Sequence, residues 1–522
     1  MNNIFDANCM LGRRSIHTPL GTPTTAPQLV AEMDRLGIGE ALVYHGMALD
    51  GHPAEGNARL MREIDGHSRL HPCWVLLPNI GEMPAPAELI AQMKAQNVRA
   101  ARLCPVRHRY LLTQANVGDL LAVLEAARIP LFVDFDMVRW SEEKTDWRGL
   151  DDLCARYPQL PFIVVGEGMG APRRVFPLWQ RYRNLYLETS YYQVHQGLSD
   201  VAQRFGAGRL LFGSGLPERA PGPPLTLLRH DFLDDAESTA ISGSTLRHLL
   251  AQAHGEIAIP HPAPRIPHSA RSVTDLPAHP ILDVHAHLGP WFSTYIHAGE
   301  ADGLIRSMDR LGIQATALIA FDSIGPDMRG GNDRVAAAMR QYPDRFLGYA
   351  TVDPNEPQAM AGELERCFGQ LGFHAIKFHC DTHGYPADGD HYRPALEYAD
   401  AHGLAVLIHG TITALMLESY PRAQFLSAHV GGWDGRFPHY AVELAKKYPN
   451  IHMDLAASTV FNGALEKLVE EVGADRVVHG SDVPLMDPGY QLGRVLAASL
   501  TAADKEKILY RNAARLFGLS NA

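Results

Sequence analysis

The six residues MDRLGI occur at Met33 to Ile38 and occur again at Met308 to Ile313, 275 residues (308 − 33) further along the chain. An internal repeat at a fixed spacing indicates that one structural unit is present twice. The match is found again near the end of each copy, where Gly213-Ser214 corresponds to Gly480-Ser481. The offset is shorter there, because the loops of the two copies differ in length. The sequence therefore predicts two copies of one fold.

The chain has 522 residues, too many for one ordinary core, and two domains are expected. A stretch rich in proline and histidine separates the copies and is predicted to be an extended linker, because proline removes backbone donors. The predicted domains are residues 1–255 and 281–522, with the linker at residues 256–280. Each domain is close to the roughly 250 residues typical of a (β/α)8 barrel, the TIM-barrel fold.

The pattern within each copy is that of an α/β protein. Short apolar runs such as Ala405 to Ile408 and Gln424 to Ser427 are typical of buried parallel strands. They alternate with amphipathic segments such as Ala301 to Leu311 and Tyr440 to Lys447, which are predicted to be helices. A doubly wound open sheet has the same alternation, so the pattern by itself does not close the sheet. Length and repetition together favour two tandem TIM barrels.

The composition narrows the function classes. Hydrophobic residues make up 46% of the chain and charged residues 20%, with a net charge of −11 and no block of like charges. A nucleic-acid partner or a membrane surface is therefore not expected. The six cysteines show no C-x-x-C spacing, which favours a reducing compartment, and no signal-peptide pattern opens the chain. We expect a cytoplasmic protein that acts on a small molecule.

The sharpest motif is ILDVHAHLG at Ile281 to Gly289, which contains His285 and His287 in a predicted strand. Side chains alternate along a strand, so these two imidazoles face the same way and both reach one divalent ion. The motif by itself is a weak signal, because the chain contains 26 histidines.

Support comes from the ends of later predicted strands, which carry Lys377, His379, His409, His429 and Asp482. The carboxyl ends of TIM-barrel strands converge on one mouth, where active sites lie. Histidines with a carboxylate suit Zn²⁺ or a similar divalent metal. Each residue also has a structural alternative: a hydrogen-bonded histidine, a helix-capping aspartate or a paired lysine. Their order along one barrel-length copy favours the site.

The motifs DVHAHLG, IKFH, LIH, AHVGG and GSDVP together resemble the amidohydrolase-related branch of the amidohydrolase superfamily. That branch includes aminocarboxymuconate-semialdehyde decarboxylase, other aromatic-acid decarboxylases and hydrolases, and the resemblance covers Ile281 to Gly518. It implies that one divalent metal, Zn²⁺ first and Mn²⁺ as the alternative, is held by four residues: His285, His287, His409 and Asp482. It also implies that His429 is the acid/base beside a metal-bound water, and that Asp482 accepts a proton as well.

The resemblance leaves the roles of Lys377 and His379 variable. A carbamylated Lys377 bridges two metals in a binuclear site, but a mononuclear site is favoured. Trp291 and Trp433, with Arg436, are candidate substrate contacts or ordinary loop residues. We expect a hydrolase that cleaves a small amide, ester or lactone. The alternatives are a non-oxidative decarboxylase or hydratase of an aromatic or unsaturated acid, and a non-catalytic binding protein.

The first copy has lost these residues. The equivalents of the four ligands, the acid/base and the Lys-x-His pair are Asn8, Met10, Asp134, Gly215, Glu167, Arg102 and Cys104. We therefore expect a degenerate pseudo-enzyme barrel, fused to the catalytic one as an intramolecular pseudo-dimer. Arg173 and Arg174 are candidates to reach the catalytic site, as an arginine of the neighbouring subunit does in some family members. Further homo-oligomerisation stays open.

Overall fold

The structure, a computed structural model, describes residues 4–15, 24–137, 144–255, 272–431 and 438–519. Its backbone forms two compact units. The first comprises Met1–Tyr192, Gly197–Asp275 and Phe461–Gly463, and the second comprises Gln193–Gln196, Leu276–Val460 and Ala464–Ala522. Most of the predicted linker, residues 256–271, lies outside the described residues. Within the described part of the chain, no helix is both long and apolar enough to cross a membrane.

Each unit contains one eight-stranded sheet, in which neighbouring strands are parallel and follow the order of the chain. The strands of the first sheet are β1 (Ile4–Leu11), β2 (Ile38–His45), β3 (Leu70–Leu76), β4 (Ala100–Leu103), β5 (Leu131–Asp134), β6 (Phe162–Val165), β7 (Leu185–Glu188) and β8 (Leu210–Leu211). The strands of the second are β9 (Ile281–Leu288), β10 (Ile313–Ala320), β11 (Phe346–Thr351), β12 (Ala375–His379), β13 (Ala405–His409), β14 (Gln424–Ser427), β15 (Ile451–Asp454) and β16 (Val477–Val478).

Helices connect consecutive strands, as parallel pairing requires. Those of the first unit are α1 (Ala26–Leu36), α2 (Met47–Asp50), α3 (Pro53–Glu63), α4 (Pro86–Ala95), α5 (Gln114–Ala126), α6 (Trp147–Arg156), α7 (Pro172–Arg181), α8 (Gly197–Phe205), α9 (Gly222–His230), α10 (Asp235–Thr239) and α11 (Thr245–Gln252). Those of the second are α12 (Ala301–Leu311), α13 (Phe321–Ile324), α14 (Met328–Gln341), α15 (Pro357–Gly369), α16 (Cys380–His383), α17 (Arg393–His402), α18 (Ala414–Ser419), α19 (His439–Lys447), α20 (Ala464–Val472), α21 (Pro488–Ala497), α22 (Ala502–Glu506) and α23 (Asn512–Leu516).

Both sheets close into barrels. In the first, the amide of Ala7 on β1 donates to the carbonyl of Phe212, the residue after β8, at 2.8 Å. In the second, the amide of Val284 on β9 donates to the carbonyl of His479, the residue after β16, at 2.9 Å. An open doubly wound sheet has no such bonds between its first and last strands. The chain is therefore two tandem (β/α)8 TIM barrels, as the sequence predicted.

The lower interior of the second barrel is apolar. Inward-facing residues such as Leu282, Ala317, Leu407 and Val478 form one buried cluster, while a separate cluster fills the layer between strands and helices. Helices cover the outside of every strand, so both strand faces are buried and the strands are almost continuously hydrophobic. The polar residues predicted for the site lie towards the carboxyl ends of the strands.

A buried aspartate fastens the first strand of each barrel to the segment that follows its last strand. In the second barrel, Asp283 Oδ1 accepts from the amides of His285 at 3.1 Å and Ser481 at 2.9 Å. In the first barrel, Asp6 Oδ1 accepts from the corresponding amides, of Asn8 at 2.9 Å and Ser214 at 3.0 Å. Burial raises the pKa of Asp283 to about 7. This aspartate clasp holds the two segments that carry the candidate site.

Candidate metal centre

Three predicted residues meet at the mouth of the second barrel. His285, His287 and Asp482 each place one ligand atom within 4.8 Å of the others. Asp482 Oδ1 lies 3.0 Å from His287 Nε2 and 3.5 Å from His285 Nε2. The backbone sets this arrangement, because β9 presents both imidazoles and the Asp482 amide donates to the His285 carbonyl at 2.8 Å.

The donor set fits a divalent metal. All three side chains are buried, and Asp482 Oδ1 has no hydrogen bond although it is shielded from water. A buried oxygen without a hydrogen bond is costly unless another group compensates it. Burial also lowers the pKa of His285 and of His287, which favours the neutral imidazoles that bind metals. Two imidazole nitrogens and a carboxylate oxygen are typical of sites for Zn²⁺ and similar ions.

The backbone of Asp482 supports a functional role. Its φ is 63°, in the left-handed region, which costs a residue with a side chain about 1–2 kcal/mol. The first barrel has Gly215 at this position, with φ 72°. The turn has thus kept its conformation in both copies, and only the second copy carries a side chain that strains it. Strain of this kind is typical of functional positions.

Lys377 lies inside the same cluster. Its Nζ is 3.3 Å from His285 Nε2, and its side chain has no exposed surface. Burial lowers the pKa of this ammonium to about 8. His379, two residues further along β12, stacks on the ring of His409 with centroids 3.9 Å apart. Lys377 thus places a buried positive charge beside the candidate ligands, and His379 supports His409.

His429 lies between the group of three and His409. Its ring centroid is 5.1 Å from that of His285 and 4.9 Å from that of His409. Its Nδ1 is 2.6 Å from the Ala456 carbonyl, and its Nε2 is 3.3 Å from His409 Nδ1. An N–H on Nδ1 must donate to that carbonyl, so Nε2 is the acceptor atom of the ring and faces His409. His409 itself lies outside the group of three, one imidazole away from it.

The predicted substrate contacts have different outcomes. Trp291 stacks on Phe321, which in turn stacks on the ring of His287 with centroids 4.6 Å apart. Trp433 and Arg436 lie outside the described residues. Arg173 and Arg174 are exposed residues in the first turn of α7, in the first unit. Their predicted contribution to the site stays a prediction.

Sequence reasoning missed Asp454, the last residue of β15. Its Oδ2 is 2.7 Å from His285 Nδ1, and neither side chain is exposed. Burial raises the pKa of this carboxyl to about 8. The signal was available, because Asp454 ends a strand as the predicted ligands do.

In the first barrel, an arginine lies between the equivalents of two predicted metal ligands. Arg102 is buried and donates through Nη1 to Asp134 Oδ2 and through Nη2 to Asn8 Oδ1, both at 2.7 Å. Its guanidinium also lies over the Tyr44 ring, 4.0 Å from the centroid. A fixed cation is therefore bonded to the equivalents of two predicted metal ligands. Among the residues described for this barrel, no group of three metal-ligating side chains is found.

Comparison with known proteins gives two matches to one family. The amidohydrolase family profile matches residues 31–278 and again residues 282–519. The gamma-resorcylate decarboxylase of Rhizobium sp. (strain MTP-10005) is 24% identical over 255 residues, which are 37% of this chain and 76% of the relative. The corresponding enzyme of Polaromonas sp. (strain JS666) is 23% identical over 285 residues, 42% of this chain and 87% of the relative.

A similar solved structure is 5-carboxyvanillate decarboxylase from Novosphingobium aromaticivorans, complexed with manganese. It is 21% identical, covers 43% of this chain and 81% of its own, and has a TM-score of 0.35. Both curated relatives named above are gamma-resorcylate decarboxylases. This finding contradicts the expected cleavage of an amide, ester or lactone and agrees with the alternative that the sequence left open.

Proposed function

Because the chain belongs to the amidohydrolase family along both of its halves, we propose that its second barrel is a metal-dependent, non-oxidative decarboxylase of aromatic carboxylic acids. The observation that carries the proposal is the buried group of His285, His287 and Asp482 at the barrel mouth. The decarboxylase activity of similar proteins supports the substrate class. Within that class, 2,6-dihydroxybenzoate and 5-carboxyvanillate are the first compounds to test.

In this proposal His285, His287 and Asp482 would hold one divalent ion, with His409 as the proposed fourth ligand. When bound, such an ion contributes a positive charge that orients the substrate carboxylate and draws electron density from the ring. Zn²⁺ and Mn²⁺ both suit these donors. A second metal bridged by a carbamylated Lys377 is disfavoured, because the described residues form one group of three ligand atoms, that of His285, His287 and Asp482.

The reaction exchanges a carboxylate for a proton on one ring carbon. The bond from that carbon to the carboxylate breaks, its electron pair forms a new C–H bond, and carbon dioxide leaves. The chain therefore has to deliver a proton. His429 is the proposed carrier, and two contacts support this role: its Nδ1 is 2.6 Å from the Ala456 carbonyl, and its Nε2, which would accept and release the proton, is 3.3 Å from His409 Nδ1. Asp482 Oδ1 is the second candidate carrier.

The buried surroundings favour this chemistry. Lys377 supplies a positive charge without exposed surface, which compensates an anionic substrate in a site shielded from water. The stacked rings of Trp291, Phe321 and His287 provide an aromatic wall beside the ligands. Offset stacking with an aromatic substrate is the contact that such a wall makes best.

We propose further that the first barrel is a pseudo-enzyme. Asn8 and Asp134 stand in two of the ligand positions and are bonded to Arg102, the equivalent of Lys377, and Gly215 replaces the carboxylate of Asp482. A guanidinium bonded to two of these positions disfavours a second cation there. One metal ion for each chain is the expected stoichiometry.

The test is an assay of the purified full chain, loaded with Mn²⁺ or with Zn²⁺, on aromatic acids that include the two named above. We expect release of carbon dioxide with the matching decarboxylated product, and a loss of at least about 100-fold in kcat for Asp482→Asn. Asp134→Asn, at a ligand position of the first barrel, is the matched control and should retain activity. Equal turnover by Asp482→Asn refutes the proposal. Metal binding without turnover on any acid supports a binding protein instead.

A further inference from the structure

The contact between Asp454 and His285 connects a residue outside the proposed ligand set to one inside it. We propose that Asp454 is a positioning residue that fixes the ring and the tautomer of His285 for metal binding. The inference rests on the proposed metal site and goes beyond it, because Asp454 touches neither the ion position nor the substrate. Three independent features of the structure carry it.

The first feature is the geometry of the carboxylate. Asp454 Oδ1 accepts from the amide of Ala456 at 3.1 Å, and Oδ2 lies 2.7 Å from His285 Nδ1. The carboxylate is therefore held by backbone on one side and holds the imidazole on the other. An Nδ1–H that donates to it makes Nε2 the acceptor atom of the ring, and Nε2 faces Asp482 at 3.5 Å and Lys377 Nζ at 3.3 Å. Partners of this kind raise the affinity of a histidine for metal.

The second feature is that the first barrel has kept the contact while changing both residues. Glu188 ends β7 as Asp454 ends β15, and its Oε2 accepts from Asn8 Nδ2 at 3.1 Å. Its Oε1 accepts from the amide of Ser190, two residues on, as Asp454 Oδ1 does from Ala456. The second barrel pairs the shorter side chain of Asp454 with the imidazole of His285, and the first pairs the longer side chain of Glu188 with the shorter amide of Asn8. The two positions have changed together, so the carboxylate serves its partner on the first strand.

The third feature is a glycine that makes room for the carboxylate in each barrel. A Cβ atom on Gly480 would lie 2.0 Å from Asp454 Oδ1, and a Cβ on Gly213 would lie 1.8 Å from Glu188 Oε1. Both distances are far below van der Waals contact, so any larger residue displaces the carboxylate. The Gly-Ser pair that identified the repeat thus contains the residue that accommodates it.

The test is a calorimetric titration of the metal-free full chain with Mn²⁺, in wild type, Asp454→Asn and Glu188→Gln. We expect Kd to rise 10- to 100-fold in Asp454→Asn, the range typical for partners of metal-binding histidines. Glu188→Gln makes the same chemical change in the other barrel and should leave Kd within about twofold of wild type. The visible spectrum of Co²⁺-loaded protein should shift only in Asp454→Asn, since only there does the ligand field change.

A second pair of variants covers the case in which Asp454→Asn does not fold. Gly480→Ala crowds Asp454, and its added Cβ would also lie 2.9 Å from the Cβ of His285, whose ring Asp454 holds. In Gly213→Ala, the nearest atoms to the added Cβ all belong to Glu188. The inference is overturned if Asp454→Asn binds Mn²⁺ within twofold of wild type, or if the first-barrel variants weaken binding equally. Weaker Mn²⁺ binding in Asp454→Asn, together with a wild type that decarboxylates no acid, sinks the proposed function alone. An active wild type whose Asp454→Asn variant binds normally sinks the inference alone.

Discussion

Replacing Asp482 by glycine should stabilise the metal-free protein while it destroys the metal site. Asp482 has φ 63°, and Gly215 adopts φ 72° at the same place in the first barrel. Glycine relieves left-handed strain of about 1–2 kcal/mol but costs about 0.5–1 kcal/mol of extra freedom in the unfolded chain. It also removes a buried oxygen without a hydrogen bond, whose burial costs about 1–3 kcal/mol. The sum of these terms is a gain of about 1–4.5 kcal/mol.

The assay is calorimetric melting of metal-stripped protein. For a domain of this size, 1 kcal/mol corresponds to about 2–4 °C, so the transition of the second barrel should rise by several degrees. With saturating metal the order should reverse, because binding stabilises wild type by RT ln(1 + [L]/Kd) and the variant binds poorly. The two conditions together separate the strain of the turn from the function of its side chain.

Gly215→Ala is the matched control in the first barrel. Its added Cβ would lie 3.0 Å from Arg219 Cβ at a φ that disfavours any side chain, so stability should fall by about 1–2 kcal/mol with Mn²⁺ affinity unchanged. The reasoning is refuted if metal-free Asp482→Gly melts below metal-free wild type. It is refuted equally if that variant retains wild-type metal affinity.

Three further outcomes follow from the structure. Elemental analysis should find about one divalent ion per chain in wild type and none in the double variant His285→Ala/His287→Ala; two ions in wild type would contradict a single site. Burial lowers the pKa of His479 to about 4, so the unfolded chain takes up a proton that the folded chain does not as pH falls below about 6.5. Because of His479, the free energy of unfolding should therefore fall by about 2 kcal/mol between pH 7 and pH 5. Denaturation curves should show that His479→Phe lacks this loss; phenylalanine is the residue that the first barrel has at the equivalent position, Phe212. Arg102→Met leaves the carboxylate of Asp134 without its buried partner and should lower the free energy of unfolding by about 3 kcal/mol. The variant should not bind a second metal ion. An unchanged melting curve would refute the role given to this arginine.

The fold was largely predictable because its signals are local. The predicted helix at Ala301 to Leu311 has those bounds in the structure, and the predicted strand at Gln424 to Ser427 does too. Buried parallel strands and a repeated unit of barrel length are both visible in sequence. Closure of each sheet into a barrel was harder to predict, because it depends on hydrogen-bonded pairs such as Val284 and His479, which lie far apart in the chain.

The site was predictable where one rule sufficed. The rule that functional side chains follow strand ends found His285, His287 and Asp482, which the structure brings together. It does not give distances within the mouth, so it did not show that His409 stacks on His379 and lies beside His429. The reaction was predicted wrongly as hydrolysis. A ligand set that activates water also orients a carboxylate, and the loops that decide between them have no readable pattern.

The aspartate clasp of Asp6 and Asp283 survives in both barrels, although only one of them has kept the proposed ligands. Within this single polypeptide, the contacts that close the barrel are thus kept where the proposed ligands are not. Positions that agree between the copies are candidates for what closure of the barrel demands, and positions that differ are candidates for what the proposed reaction demands. The two copies can therefore guide engineering of the second barrel. An altered active site can be attempted at the positions where the first barrel has Asn8, Arg102 and Gly215, since the fold accommodates other residues there.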